Sequence, residues 1–338
     1  QITIGYTVTV ALSVVKAVSL WYKKGADGTW TDSGLNSATT SGTFFFQSVG
    51  DATYYFGFVI EDVAGNVLSS ASGDGVFNTA VDTEQPTFSN IVATPHFART
   101  GTKVTITFTV SEQLLVDPYV GVGLDDADFV SSSGLDYTFE YTVSETAEEG
   151  PADIYIEGID LAYNYNWIDN FDQLTIDNTP PEDFTPIASP AGWTNASTIQ
   201  VTFETTDALS GIDFYEVAID DGPYSLEVSP YTVDTSALND GVHTVHVKAV
   251  DLAGNERIKD VEIRIDRTPP AAFVPIVTPA NWTGLTTAVV SWSASDAASG
   301  IDFCEVALDD GPYSVQASPY TINVAGLAEG THTVHVRA

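Results

Sequence analysis

Apolar and polar residues alternate through residues 198–205 (TIQVTFET), a period of two that predicts a strand with one buried face. A loop at 207–211 separates it from a second alternating run at 212–219, and Asp221-Gly222 reads as a tight hairpin turn. Residues 223–230 are expected to cross toward a second sheet. A strand at 243–251 follows, then a turn at Leu252-Ala-Gly-Asn255, then a last strand at 258–265. No window sustains a 3.6-residue period. Seven or so short strands with regular turns predict an all-β Greek-key sandwich. Lettered in chain order, strand A begins just after a Pro-Pro pair, 198–205 is B, 212–219 is C, 243–251 is F and 258–265 is G.

This pattern repeats. Residues 178–249 align with 267–338 at a constant offset of 89 without gaps, and 40 of the 72 aligned positions are identical. Asp220-Asp-Gly-Pro-Tyr-Ser225 returns as Asp309-Asp-Gly-Pro-Tyr-Ser314. A junction motif recurs as Asp82-Thr-Glu-Gln-Pro86, Asp177-Asn-Thr-Pro-Pro181 and Asp266-Arg-Thr-Pro-Pro270. A turn motif recurs as Asp62-Val-Ala-Gly-Asn66, Asp160-Leu-Ala-Tyr-Asn164 and Asp251-Leu-Ala-Gly-Asn255. The junctions lie 95 and 89 residues apart, the length of one sandwich domain. Four domains are therefore expected, at 1–82, 83–177, 178–266 and 267–338. The first lacks an opening-strand pattern and the fourth stops before its final hairpin. Proline fixes φ and removes an amide donor, so each Thr-Pro-Pro junction is expected to be extended and stiff.

Charge narrows the function classes. There are 46 acidic and 11 basic residues, a net charge of −35. Such a surface repels phosphate backbones and anionic bilayers, which argues against nucleic-acid partners and direct membrane insertion. It suits collection of divalent cations and equally a high-salt habitat, and composition does not separate the two. The single cysteine, Cys304, excludes a disulfide framework within the chain.

Alternating strand direction brings the start of strand A beside the B–C and F–G loops. In the third repeat this predicts a gathering of Asp177, Asn178, Asp207, Asp213, Asp251 and Asn255. In the fourth it predicts Asp266, Asp296 and Asp302. In the second it predicts Asp82, Glu84, Glu112, Asp160 and Asn164, although Tyr163 there replaces the turn glycine. Carboxylates brought together repel unless neutralised, and calcium, which takes six to eight oxygen ligands, is the expected cofactor. The competing reading is that Asp-x-Ala-Gly-Asn is a turn satisfied by its own hydrogen bonds.

The turn motif followed by an Ile-Asp-x-Thr-Pro-Pro junction resembles the bacterial-type Ig-like repeats of large prokaryotic adhesins and surface-layer proteins. The resemblance spans all four repeats and is strongest in the last two. It implies tandem Ig-like sandwiches in an extended array, cell-surface or extracellular display, adhesion or spacing, and interdomain calcium. The expected partners are neighbouring Ig-like domains, with other copies in a filament or layer and surface glycans as further candidates.

Other motifs are weighed against plainer readings. Asp220/Asp221 and Asp309/Asp310 resemble paired catalytic carboxylates, but an Asp-Gly turn explains them, and no enzyme is expected. His243 and His332 stand where a tyrosine corner sits in such sandwiches, as Tyr54 does in the first repeat, so a structural histidine is preferred over a metal ligand. Asn195 and Asn281 head glycosylation sequons. Trp30, Trp167, Trp193 and Trp282 could stack on sugars, while packing in cores or at junctions is the preferred reading. The leading functional expectation is a non-catalytic structural and adhesive spacer. The alternatives are a filament or surface-layer subunit completed by strand exchange, and a carbohydrate-binding region of a secreted hydrolase.

Overall fold

The computed structural model describes residues 1–10, 14–170 and 172–338. Every element among them is a β-strand. They form two compact units, Gln1–Asn178 and Thr179–Ala338.

Within the first unit, the first repeat packs a two-stranded sheet, Ile2–Thr7 with Ser41–Phe46, on a larger sheet. The larger sheet is centred on Val15–Lys24 and Ala52–Asp62. Alternation explains the core: Val18 and Leu20 point inward with Tyr54, Phe56, Phe44 and Phe46. The second repeat packs two four-stranded sheets. One orders Asp128–Ser133, Asp136–Thr142, Lys103–Val110 and Phe88–Thr94. The other orders Asp125–Asp126, Tyr119–Val122, Ile154–Ile159 and Tyr165–Asn170. Ile106, Phe108, Ile154, Ile156 and Leu174 fill the space between them.

In the second unit, the third repeat places Ile187–Ser189, Thr198–Thr202 and Tyr231–Asp234 in one sheet. Opposite run Trp193–Thr194, Glu256–Ile265, Gly241–Asp251, Ile212–Ile219 and Ser225–Glu227. Ile199, Val201, Val245, Val247, Ile263 and Ile265 are its buried ridge. The fourth repeat repeats this order with Ile276–Thr278, Thr287–Ser291 and Tyr320–Asn323 facing Ser314–Val315, Glu305–Leu308 and Val334–Arg337.

Two details differ from the alternation pattern. Strand B stops at Thr202 rather than 205, because side chains capture the next amides. Phe203 N–H donates to Ser229 Oγ (2.9 Å) and Thr205 N–H to the Tyr215 hydroxyl (3.0 Å). The 223–230 segment does not cross directly. Ser225–Glu227 first pairs back on Ile212–Ile219, and the chain changes sheets at the Ser229–Pro230 peptide.

The corner histidines take the structural role. The fully buried Tyr54 donates its hydroxyl to Gly50 O, four residues upstream (2.8 Å), and accepts from Val49 N–H (2.8 Å). His243 Nε2 meets Asn239 O, also four residues upstream (2.9 Å), and His332 Nε2 meets Ala328 O (2.9 Å). The other ring nitrogen of each faces a carboxylate, Asp220 (2.7 Å) and Asp309 (2.8 Å). These aspartates sit at φ 50° and 51° in the C-strand hairpins, and each also accepts the amide following its histidine. Asp220 and Asp309 are therefore turn-and-corner anchors.

Candidate metal centre

The Asp-x-Ala-Gly-Asn motif folds the same way in three repeats. One carboxylate oxygen of Asp62, Asp160 or Asp251 accepts the amide of the motif's Asn at 2.8 Å each time. The other oxygen accepts that asparagine's side-chain amide at 2.7–2.9 Å. The fourth residue needs a left-handed backbone, which Gly65 and Gly254 supply at φ 87° and 89°. Tyr163 adopts φ 69° in their place, so the second repeat keeps the turn despite losing the glycine. The turn is thus satisfied from within, as the plainer reading holds, and this does not prevent the same aspartate from facing further ligands.

In the first unit, the second repeat gathers three carboxyl groups. Ligand oxygens of Asp82, Glu112 and Asp160 all lie within 4.8 Å of one another. Asp82 comes from the junction, Glu112 from the B–C loop and Asp160 from the F–G turn. Asn164 ties the junction to that turn by donating to Asp82 O (3.2 Å), and Asn166 does so through Pro86 O (2.8 Å). Asp160 is only 1% exposed. Burial works against its charge, but the donors from Asn164, Ala162 and Tyr163 prevail and hold its carboxyl below the usual carboxylate range. Glu112 is pushed the other way by burial, then by the charges of Asp82 and Asp160. Among the described residues no lysine or arginine forms an ion pair with any of the three. The donors are all carboxylate oxygens, the chemistry that suits a hard divalent cation.

In the second unit, Asp207 and Asp251 bring carboxylate oxygens within 4.8 Å of each other. Asp207 also closes the B–C loop by accepting the amides of Leu209, Ser210 and Gly211 (2.8–3.2 Å). Asp251 is 1% and Asn255 6% exposed, and Asn255 donates to Thr179 O. Asp296 closes the equivalent loop of the fourth repeat. Asp266 joins it there by accepting Ser299 N–H (3.0 Å), and the Ser299 donors help hold its carboxyl low.

Two other expected ligands stand apart. Asp213 and Asp302 are exposed on the C-strand segment and belong to no group of three acidic residues among the described residues. Asp177 is buried in the first unit, its amide donating to Ala98 O (2.9 Å). The side-chain carbonyl of Asn178 is engaged by the amide and hydroxyl of Thr100 (2.7 and 2.9 Å), and its amide by Glu149 (3.0 Å). Asn178 therefore fastens the junction to the second repeat. Thr83 to Asp51 and Arg267 to Asp240 repeat this contact. The sequon residues Asn195 and Asn281 are exposed. None of Trp30, Trp167, Trp193 and Trp282 is buried; Trp167 is 51% and Trp282 86% exposed, which corrects the core-packing expectation.

No family model and no curated protein matches this chain. Among solved structures, the chain is similar to a tetra-tandem repeat in the extending region of a large adhesion protein. That match covers 99% of this chain and 90% of the other, at 17% identity and a TM-score of 0.37. It is similar to a calcium-stabilised adhesin with which an Antarctic bacterium binds ice, covering 99% and 92% at 15% identity and a TM-score of 0.39. A 1.5-MDa bacterial ice-binding adhesin, studied for host cell surface retention, matches 78% of this chain and 90% of its own, at 15% identity and a TM-score of 0.41.

Proposed function

We propose that this chain is a non-catalytic run of Ig-like repeats serving as a structural and adhesive spacer in an extracellular surface protein, with calcium stiffening its junctions. The division into four domains, with boundaries expected at 83, 178 and 267, belongs to this proposal. The observation that carries it is the Asp82–Glu112–Asp160 group, where like charges crowd a junction that proline and Asn164 already hold. A cation there would join the junction, the B–C loop and the F–G turn of one repeat. It would relieve the repulsion that, after burial, pushes Glu112 toward its neutral form.

Calorimetry of the full chain in calcium and in chelator tests this reading. With a dissociation constant of about 10⁻⁴–10⁻³ M, roughly 10 mM calcium should add about 1.4–2.7 kcal/mol to the unit that binds it. Glu112→Gln should be at least as stable as the parent in chelator, because a repelling charge is gone, and should lose calcium-dependent gain. An equal calcium response in parent and variant would remove the metal from this site and leave the architecture standing.

A further inference from the structure

The second repeat carries an aromatic and acidic face that the metal group does not use. Sheet register places Tyr119 opposite Glu157, and Glu157 opposite Trp167. Tyr155 shares the face of Glu157, and Tyr165 and Asp169 that of Trp167, because strand side chains alternate. The opposite side of the same strand, Ile154 and Ile156, is core. Tyr119, Tyr165 and Trp167 stay 44%, 45% and 51% exposed. Tyr155 bridges the rings, edge-on to Tyr119 (6.1 Å) and stacked on Trp167 (5.8 Å). The four strands of this sheet contain no lysine, arginine or histidine.

The third and fourth repeats show what such a face holds. Counting back from the turn aspartates Asp160 and Asp251, Glu157 occupies the position of Lys248, and the 89-residue offset carries Lys248 to Arg337. Lys248 Nζ binds Glu216 (2.9 Å) and lies 4.3 Å from the Tyr224 ring centre. Arg337 Nε binds Glu305 (2.7 Å), and its guanidinium lies 4.1 Å from the Tyr313 ring centre. Each therefore has its cation between a carboxylate and an aromatic ring, and supplies that cation from strand F. The second repeat has the rings and has an anion where the cation stands. The Glu157 carboxylate accepts the hydroxyls of Tyr155 and Tyr165 (2.6 and 2.7 Å), which hold it ionised.

We infer that the Tyr119–Glu157–Trp167 face of the second repeat binds an arginine or lysine side chain presented by a basic segment of another protein. The ring faces attract a cation through their quadrupoles, and Glu157 supplies the counter-charge. The incoming residue completes between chains the arrangement that the third and fourth repeats complete within one. This inference is independent of calcium at the junctions.

The test is calorimetric titration of the full chain with a hexaarginine peptide at about 0.15 M salt, where diffuse attraction is screened beyond roughly 8 Å. The parent should show saturable binding. The Tyr119→Ala/Trp167→Ala pair, which leaves the net charge unchanged, should weaken it about tenfold, and Trp167→Phe should restore most of the loss. Glu157→Lys should abolish it. Glu145→Gln/Glu148→Gln, which removes two exposed charges elsewhere in the repeat, should leave it within about twofold. Unchanged binding in the aromatic pair would overturn the inference in favour of the overall field. So would preferential binding of a neutral glucan hexamer. Matching far-ultraviolet spectra keep a folding failure from passing as lost binding.

Discussion

The corner histidines should make the third repeat sensitive to pH. Both nitrogens of His243 face acceptors, Asn239 O and the Asp220 carboxylate, so both bonds can be donated only by the protonated ring. Burial opposes that charge, but the hydrogen bonds to Asp220 and Asn239 and the Asp220 charge outweigh it, with Arg267 opposing weakly, and the histidine pKa is raised. The bond to His243 and the Thr244 amide in turn hold the Asp220 carboxyl low. A raised histidine pKa contributes stability that is complete below the unfolded value of about 6.5 and is lost as pH rises through the folded value. The lowered Asp220 pKa contributes stability above about 4 that is lost as pH falls. The pair is strongest between those limits.

The magnitude follows from the geometry. His243 is 14% and Asp220 45% exposed at the side chain, so the charged bond is worth less than a buried one, about 1 kcal/mol, and the bond to Asn239 O about 1 kcal/mol more. His243→Ala should cost about 2 kcal/mol at pH near 5.5. Once the pH has risen past the raised folded value the parent ring keeps only one N–H, so the cost of truncation should fall to about 1 kcal/mol. His243→Tyr should reproduce the Tyr54 arrangement and flatten the pH dependence. Hydrogen exchange of the Gly241–Asp251 amides, read as parent-minus-variant differences at the two pH values, cancels the other histidines. An alanine penalty that stays constant across this range would refute the reasoning.

Tyr163→Gly should stabilise the second repeat by about 0.5–1 kcal/mol in urea titration, because the left-handed backbone no longer strains a side-chain-bearing residue. Tyr54→Phe should destabilise the first repeat by about 1 kcal/mol, since the part-buried bonds from the Val49 amide and to the Gly50 carbonyl lose their hydroxyl partner; a loss below about 0.3 kcal/mol would contradict the corner role. In chelator, burial and the neighbouring charges at Glu112 should make the first unit gain stability as pH falls through the raised carboxyl pKa, the reverse of ordinary acid destabilisation, and calcium should suppress that gain.

Much of the fold was legible along the chain because its signals are local. Alternation marks a strand whose one face is buried, and Ile212–Ile219 emerged with the bounds the pattern gives it. Motif recurrence located the turns, and Asp62, Asp160 and Asp251 close them with bonds to residues two to four positions away. The end of strand B was not legible, because Ser229, from the turn between two later strands, and Tyr215, from strand C, reach in to take its amides.

The candidate site divides along the same line. Sequence alone determined which residues could meet at each repeat end, since order in the chain and strand alternation fix which loops share that end. Tertiary structure decided which carboxylates come within a few ångströms. Glu112 joins Asp82 and Asp160, Asn178 is diverted to Thr100, and Asp213 and Asp302 remain exposed. It alone aligned Tyr119, Glu157 and Trp167, because they lie on three different strands and only the register between strands brings them side by side.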